Sequence, residues 1–228
     1  MTANNLKDTK IKAIIFDFDG TISMPCKYSN GWSKIFEKIH MESEDERLYK
    51  LHKEGKLNYD EWENEILKIY RDCGVNSKFF KDIAKDTILL KNTTKVFKAL
   101  YKKGIKIIIL SGGIKNIITL ALGKACKYIY RIEAQEFLFD KDMVVNDIKK
   151  LDHYVEDKSQ FTSYVLDMLE LHPDQVVFFG NDENDEDVYK TEVKTICINP
   201  ITKNYNDRRI WSEVIQKTDD LSSILAYL

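Results

Sequence analysis

Two aspartates with one phenylalanine between them, Asp17 and Asp19, end an apolar run and are followed at once by Gly20 and Thr21. Carboxylates this close repel each other, and at the mouth of a buried strand they also lose solvation. A cation beside them is the simplest remedy. Three further groups suit such a centre: Ser111-Gly112-Gly113, Lys158, and an acidic stretch containing Asn181, Asp182 and Asp185. Paired carboxylates with a second acidic loop can hold Mg²⁺, a hard cation that takes oxygen ligands and keeps several waters. A serine hydroxyl, glycine amides at a helix start and a lysine ammonium are donors suited to a phosphate. Singly, each piece has a plainer reading: a turn, a solvent-facing lysine, a solvated acidic loop or a helix start favoured by its dipole. The acidic stretch is not an EF-hand, because counting from Asp182 the sixth position is Asp187 rather than Gly and the twelfth is Val193 rather than Glu.

These groups need elements that bring them to one place. Four short runs rich in β-branched residues, at 11–16, 105–110, 176–179 and 195–198, read as buried parallel strands. Segments with helical periodicity lie between and after them, at 93–103, 114–124, 160–171 and 221–228. The alternation predicts a doubly wound, Rossmann-like α/β sheet, in which ligands sit beyond the carboxyl ends of the strands. Asp17 to Thr21, Ser111 to Gly113 and the acidic stretch all stand at such strand exits, and Lys158 stands near a helix start.

Residues 24–90 break the alternation. No buried strand is evident there. The amphipathic stretches NGWSKIFEKIH, SEDERLYKLHKEG, NYDEWENEILKIYRDCG and SKFFKDIAKD predict a small helical domain inserted after the first strand. Asn58 followed by Glu61 resembles a capping box, and Gly55 and Gly74 stand where helices would stop. The charge run at 42–47 reads as a solvated helix face. Residues 133–155, with FLFDKDMVV, predict a β-hairpin. The expected division is a core of 1–23 and 91–228 with a helical domain of 24–90.

The bulk numbers narrow the function classes. With 228 residues and 43% hydrophobic content the chain can bury a sizeable core. A formal net charge of -2, with 35 basic against 37 acidic residues, argues against broad capture of nucleic acid. The polar start MTANNLKDTK predicts neither a signal peptide nor a membrane span. The four cysteines (Cys26, Cys73, Cys126, Cys197) lack CxxC spacing, so a reducing cytoplasm is expected rather than a disulfide framework or zinc site. The four histidines (His40, His52, His153, His172) show no metal-ligand spacing.

With these motifs in this order, the chain resembles the haloacid dehalogenase superfamily over nearly its whole length, and within it the phosphoserine-phosphatase-like branch. DFDGT is similar to the family's DxDxT motif, LSGG to its second, Lys158 to its third and GNDEND to its fourth. The helical insert lies where that branch carries its small cap, and GKLNYDEW resembles a recurrent cap segment. The resemblance implies Asp17 as the nucleophile that forms an aspartyl-phosphate, and Asp19 as the acid and then the base. It implies Thr21, Ser111, Gly112 and Lys158 around the phosphoryl group. Mg²⁺ would bind Asp17, the main chain of Asp19 and the fourth-motif residues. The expected substrate is a small phosphorylated metabolite, with no nucleic acid or membrane partner; monomer and homodimer are equally compatible with the sequence.

The chain departs from the family pattern at two places. The fourth motif usually begins Gly-Asp, whereas Gly180 is followed here by Asn181 and then Asp182. Asn181 takes the first acidic position, Asp182 shares it, and Asp185 takes the second. Residues 23–27 lack the acid that phosphoserine phosphatases use for the substrate amine, and no arginine follows GKLNY before Arg71. Both points argue against phosphoserine. Trp32 and Trp62 suit either an aromatic wall over the substrate or the core of the cap. The leading expectation is a Mg²⁺-dependent phosphomonoesterase. The alternatives are a phosphotransferase or mutase on the same aspartyl-phosphate, and a non-catalytic phosphate-binding regulatory protein.

Overall fold

The computed structural model describes residues 10–25, 30–149 and 158–228. Strand β1 (Ala13–Phe16) is entirely buried and sits at the centre of a seven-stranded sheet. The other strands are β2 (Lys106–Ile114), β3 (Arg131–Phe139), β4 (Val145–Lys149), β5 (Val176–Gly180), β6 (Lys194–Ile198) and β7 (Glu213–Ile215). Their order is β4-β3-β2-β1-β5-β6-β7, parallel throughout except for the antiparallel β3–β4 pair. Ile15 lies between Ile108 of β2 and Phe178 of β5.

The period of two along each strand divides the apolar residues between two faces. Phe16, Ile107, Ile109 and Phe179 face α5 (Thr93–Lys102) and α6 (Lys115–Leu122). Ile15, Ile108 and Phe178 face α7 (Lys158–Leu169) through Phe161 and Val165. The sheet is thus wound on both sides, as the near-continuous hydrophobic runs of β1, β2 and β5 require.

Helices α1 (Gly31–Lys38), α2 (Glu42–Lys53), α3 (Tyr59–Asp72) and α4 (Ser77–Asp86) fill the insert. Asn58 and Glu61 form the expected capping box at α3, each side chain accepting from the other's backbone N–H. Gly55 and Gly74 follow α2 and α3 as expected. The insert has its own apolar cluster, including Trp32, Phe36, Trp62, Tyr70 and Phe80. That cluster continues into the core through Ile114, Ile117, Phe137, Val145 and Ile148. The two ends of the insert run side by side: Met24 N–H donates to Ile88 O, and Leu90 N–H to Ile22 O.

Three local features differ from expectation. Strand β2 continues past Leu110 to Ile114, with a shift in its pairing to β3 between those residues, so Ser111, Gly112 and Gly113 form a bulged strand end. β3 begins at Arg131 and pairs first with β2, because its polar residues are covered by α7 and the insert. The segment 221–228 winds as a 3₁₀ helix (Leu221–Tyr227). The expected hairpin is present as β3 and β4, although its last residues, with His153, lie outside the described residues, as do Cys26 and Lys27. Among the described residues no helix is long and apolar enough to cross a membrane.

Candidate active site

The carboxyl ends of β1, β2 and β5 converge where the strand order reverses, the place at which open α/β sheets bind ligands. Asp17 leaves β1 with its N–H donating to Phe179 O at 2.8 Å, which fixes its backbone against β5. Lys158 opens α7 and is 1% exposed. Its Nζ donates to Asp17 Oδ1 at 2.7 Å and to Asp185 Oδ1 at 2.5 Å. The other oxygen of Asp185 accepts the backbone N–H groups of Asn181 (2.8 Å) and Asp182 (3.1 Å). Asp185 is therefore saturated: it anchors the ammonium on one side and folds its own loop on the other. A Cβ on Gly180 would lie 2.5 Å from Asp185 Cγ, so the close approach needs glycine there.

Burial dominates the electrostatics. It pushes the Asp17 carboxyl up to about 7, against the pull of Lys158 and with the help of the Asp185 and Asp19 charges. It pushes Asp19 up to about 6, although Lys34 and Lys158 favour the charged form. Burial works against the Lys158 ammonium too, but Asp17 and Asp185 outweigh it and hold its pKa above the ordinary lysine range. Asp17 and Asp185 thus share one fully buried lysine, while Asp19 feels the charges of Lys34 and Lys158. The centre is short of positive charge, as the spacing of the aspartates predicts.

A cavity of about 130 Å³ lies over these groups, lined by Asp17, Asp19, Ser111, Gly112, Asn181 and Asp182 among others. Ser111 Oγ accepts from Gly113 N–H at 3.0 Å. Thr21 Oγ1 donates to Asn181 Oδ1 at 3.3 Å, while Asn181 Nδ2 is buried without a partner. A half-turn of that amide would give Thr21 a donor and set the amide oxygen in the orphaned place. Gly20, at φ +81°, lets the Asp19–Thr21 turn pass Asn181; a Cβ there would collide with Nδ2.

Among the described residues no three His, Cys, Asp or Glu side chains converge as a metal cluster. The oxygen-bearing residues that line the cavity beside Asp17 are of mixed kind, carboxylates from Asp19 and Asp182 and amides from Asn181 and Asn184. Mg²⁺ is held by one or two carboxylates and keeps water, so this donor set fits it. Of the fourth-motif residues, Asn181, Asp182 and Asn184 line the cavity, whereas Asp185 is engaged by Lys158 and is not part of the lining.

A second cavity of about 710 Å³ adjoins the first, sharing Asn30, Gly112, Asp182 and Asn184 with it. Trp32 and Trp62 both line it and are also packed in the insert's core, with ring centroids 5.1 Å apart. Trp32 Nε1 donates to Gly112 O at 2.9 Å, joining the insert to the Ser111–Gly113 bulge. Three positions escape sequence reading. Asn30 caps α1 and lines both cavities, Lys34 bears on Asp19, and Asp45, read as part of a solvated charge run, faces the larger cavity. Asn30 before an amphipathic helix was a legible cap signal; nothing in the spacing marked the other two.

A family model described as a haloacid dehalogenase-like hydrolase matches residues 11–188, and the chain belongs to that family. No curated protein matches it in sequence. The fold is similar to that of a haloacid dehalogenase family hydrolase from Salmonella enterica serovar Typhi, with a TM-score of 0.73 and 18% identity over 94% of this chain and 71% of that one. It is similar to a substrate-bound phosphoserine phosphatase at a TM-score of 0.72 and 18% identity, covering 97% of this chain and all 100% of the other. A phosphoserine phosphatase from T. onnurineus matches at a TM-score of 0.65 and 15% identity over 98% of each chain. At these identities the likeness is one of fold.

Proposed function

We propose that the protein is a Mg²⁺-dependent phosphatase that hydrolyses a small phosphomonoester through an aspartyl-phosphate on Asp17. The observation that carries this reading is the buried Lys158 held between Asp17 and Asp185, with Asp19 beside them at the same strand end. Lys158 fixes the Asp17 carboxylate at the strand end and orients it for in-line attack on phosphorus. Asp19, with its pKa raised to about 6, retains a proton long enough to give it to the leaving alcohol, then takes one from the attacking water. Ser111 and the amides of the bulge, together with Thr21, orient the phosphoryl oxygens, and Lys158 offsets their charge. Mg²⁺, held by Asp17, the Asp19 main chain and Asn181 or Asp182, would supply charge neutralisation and a template for the phosphoryl group. Asp185 is a positioning residue in this scheme.

Residues 24–90 serve as a cap over the site, with 1–23 and 91–228 as the catalytic core. The unpaired Cys73, Cys126 and Cys197 accord with a cytoplasmic setting. Asn181, in place of the usual acid, favours a second reading as a non-catalytic phosphate binder. Phosphate release from small esters, with Mg²⁺ or with chelator, separates the two. Metal-dependent release that falls at least about a thousandfold in Asp17→Asn is expected. Silence from a folded protein, or unchanged release by the variant, would remove Asp17 from its role.

A further inference from the structure

The 710 Å³ cavity adjoins the phosphate pocket, so under the phosphatase reading, on which the substrate assignment rests, it receives the alcohol half of the ester. Its described lining is strongly one-signed. Glu42, Asp45, Glu46, Asp182 and Glu183 contribute carboxylates, against the single ammonium of Lys53. Lys53 itself lies over the Tyr49 ring at 5.5 Å. The wall between these acids is aromatic: Trp32 and Trp62 are 5.1 Å apart, and Tyr59 and Trp62 are 5.5 Å apart. Indole and phenol faces attract cations, quaternary ammonium groups above all.

We infer that the substrate is the phosphate ester of an amino alcohol, carrying a primary or quaternary ammonium and no carboxylate. Asp45 is the specificity-determining acid. It is half-buried, bonds to Ser33 on the same cavity wall, and burial raises its pKa, so its anion lacks the solvation that an ammonium would supply. Glu42 and Glu46 stand at the exposed rim of the same helix and favour the approach of a cation. Trp62 Nε1 is buried without a partner in this wall. An ester with a free carboxylate would meet the like charges of Glu42, Asp45, Glu46 and Glu183, and one with neutral hydroxyls would bring Asp45 no counter-charge. The acids of α2 thus select by charge, where the aromatic wall alone would select by shape.

The test compares kcat/KM for phosphoethanolamine, phosphocholine, glycerol 3-phosphate, O-phosphoserine and p-nitrophenyl phosphate with Mg²⁺. The cationic esters are expected to exceed glycerol 3-phosphate by roughly tenfold or more, an advantage that salt erodes. O-phosphoserine is expected to be the poorest. Asp45→Asn, checked for folding by its melting curve, should shrink the cationic-to-neutral ratio by about tenfold. If p-nitrophenyl phosphate is turned over while cationic esters gain nothing over glycerol 3-phosphate, the charge selection is wrong and the phosphatase reading stands. Calorimetric binding to Asp17→Asn separates the converse case. Binding of phosphocholine above glycerol 3-phosphate, with no ester hydrolysed by the wild type, would keep the charge selection and sink the hydrolysis. Equal binding under the same circumstance would overturn both.

Discussion

At the scale of single residues, the site is organised around a deficit of positive charge. Lys158 reaches the two buried carboxylates, Asp17 and Asp185, with partly exposed Asp19 beside them, and desolvation pushes both Asp17 and Asp19 upward. A carboxyl whose pKa is higher folded than unfolded stabilises the fold below its unfolded value and loses that contribution as the pH rises through the folded one. For Asp19 the window opens near 3.8 and closes near 6. Metal-free protein should therefore lose stability relative to its Asp19→Asn variant as the pH rises from about 4 to 7, and Mg²⁺ should narrow the difference by favouring the anions. Melting temperatures measured across that range in chelator and in Mg²⁺ decide it. Parallel curves for the two proteins in chelator would show that Asp19 carries no such penalty. The pairing of Asp17 with Asp19 was legible in the sequence because two acids after an apolar run demand compensation. The double engagement of Asp185 was not, since nothing in GNDEND tells which acid turns inward to the lysine and which faces the cavity.

At the scale of elements, local chemistry decides some boundaries and tertiary contact decides others. The capping box at α3 is local: Asn58 accepts from Glu61 N–H at 2.9 Å and Glu61 returns the bond at 2.8 Å. Asn58→Ala should cost about 1 kcal/mol and lower the melting temperature by roughly 2–4 °C, read by thermal unfolding. A change within error would mean that α3 is held by Trp62, Ile66 and Tyr70 alone. Such signals made the four insert helices and the four central strands readable from residue order. β3 was only half readable because Arg131, Glu133 and Gln135 look exposed, yet Arg131 pairs with Glu133 at 2.7 Å and Gln135 reaches Tyr59. β7 has three residues and takes its place only by pairing with β6, which no periodicity can announce. The charge run on α2 is a largely exposed helix face, as read, but half-buried Asp45 turns toward the larger cavity: amphipathicity marks a polar face without telling solvent from a cavity.

At the scale of the whole molecule, the described contacts between insert and core include the paired segments around Ser23 and Leu89, the apolar seat on α6 and the β3–β4 hairpin, and the bond from Trp32 Nε1 to Gly112 O. The last reaches a carbonyl in the wall of the phosphate pocket. Trp32→Phe keeps most of the packing and removes the donor, leaving a carbonyl of the bulge unpartnered. Hydrogen exchange should then quicken in α1 and in the Ser111–Gly113 bulge while β1 and β5 keep their protection. Exchange unchanged in the bulge would show that the bond does not couple the two parts. The adjacency of the insert's ends has a different kind of consequence, one for descent and engineering. Because Met24 and Leu90 leave the core side by side, the whole helical segment is topologically a single long loop, removable or exchangeable without rethreading the sheet. Its hydrophobic seat does not travel with it. A transplanted or shortened insert must still cover Ile114, Ile117, Phe137 and Val145, so the core dictates the underside of any replacement and leaves only its substrate-facing side free to diverge.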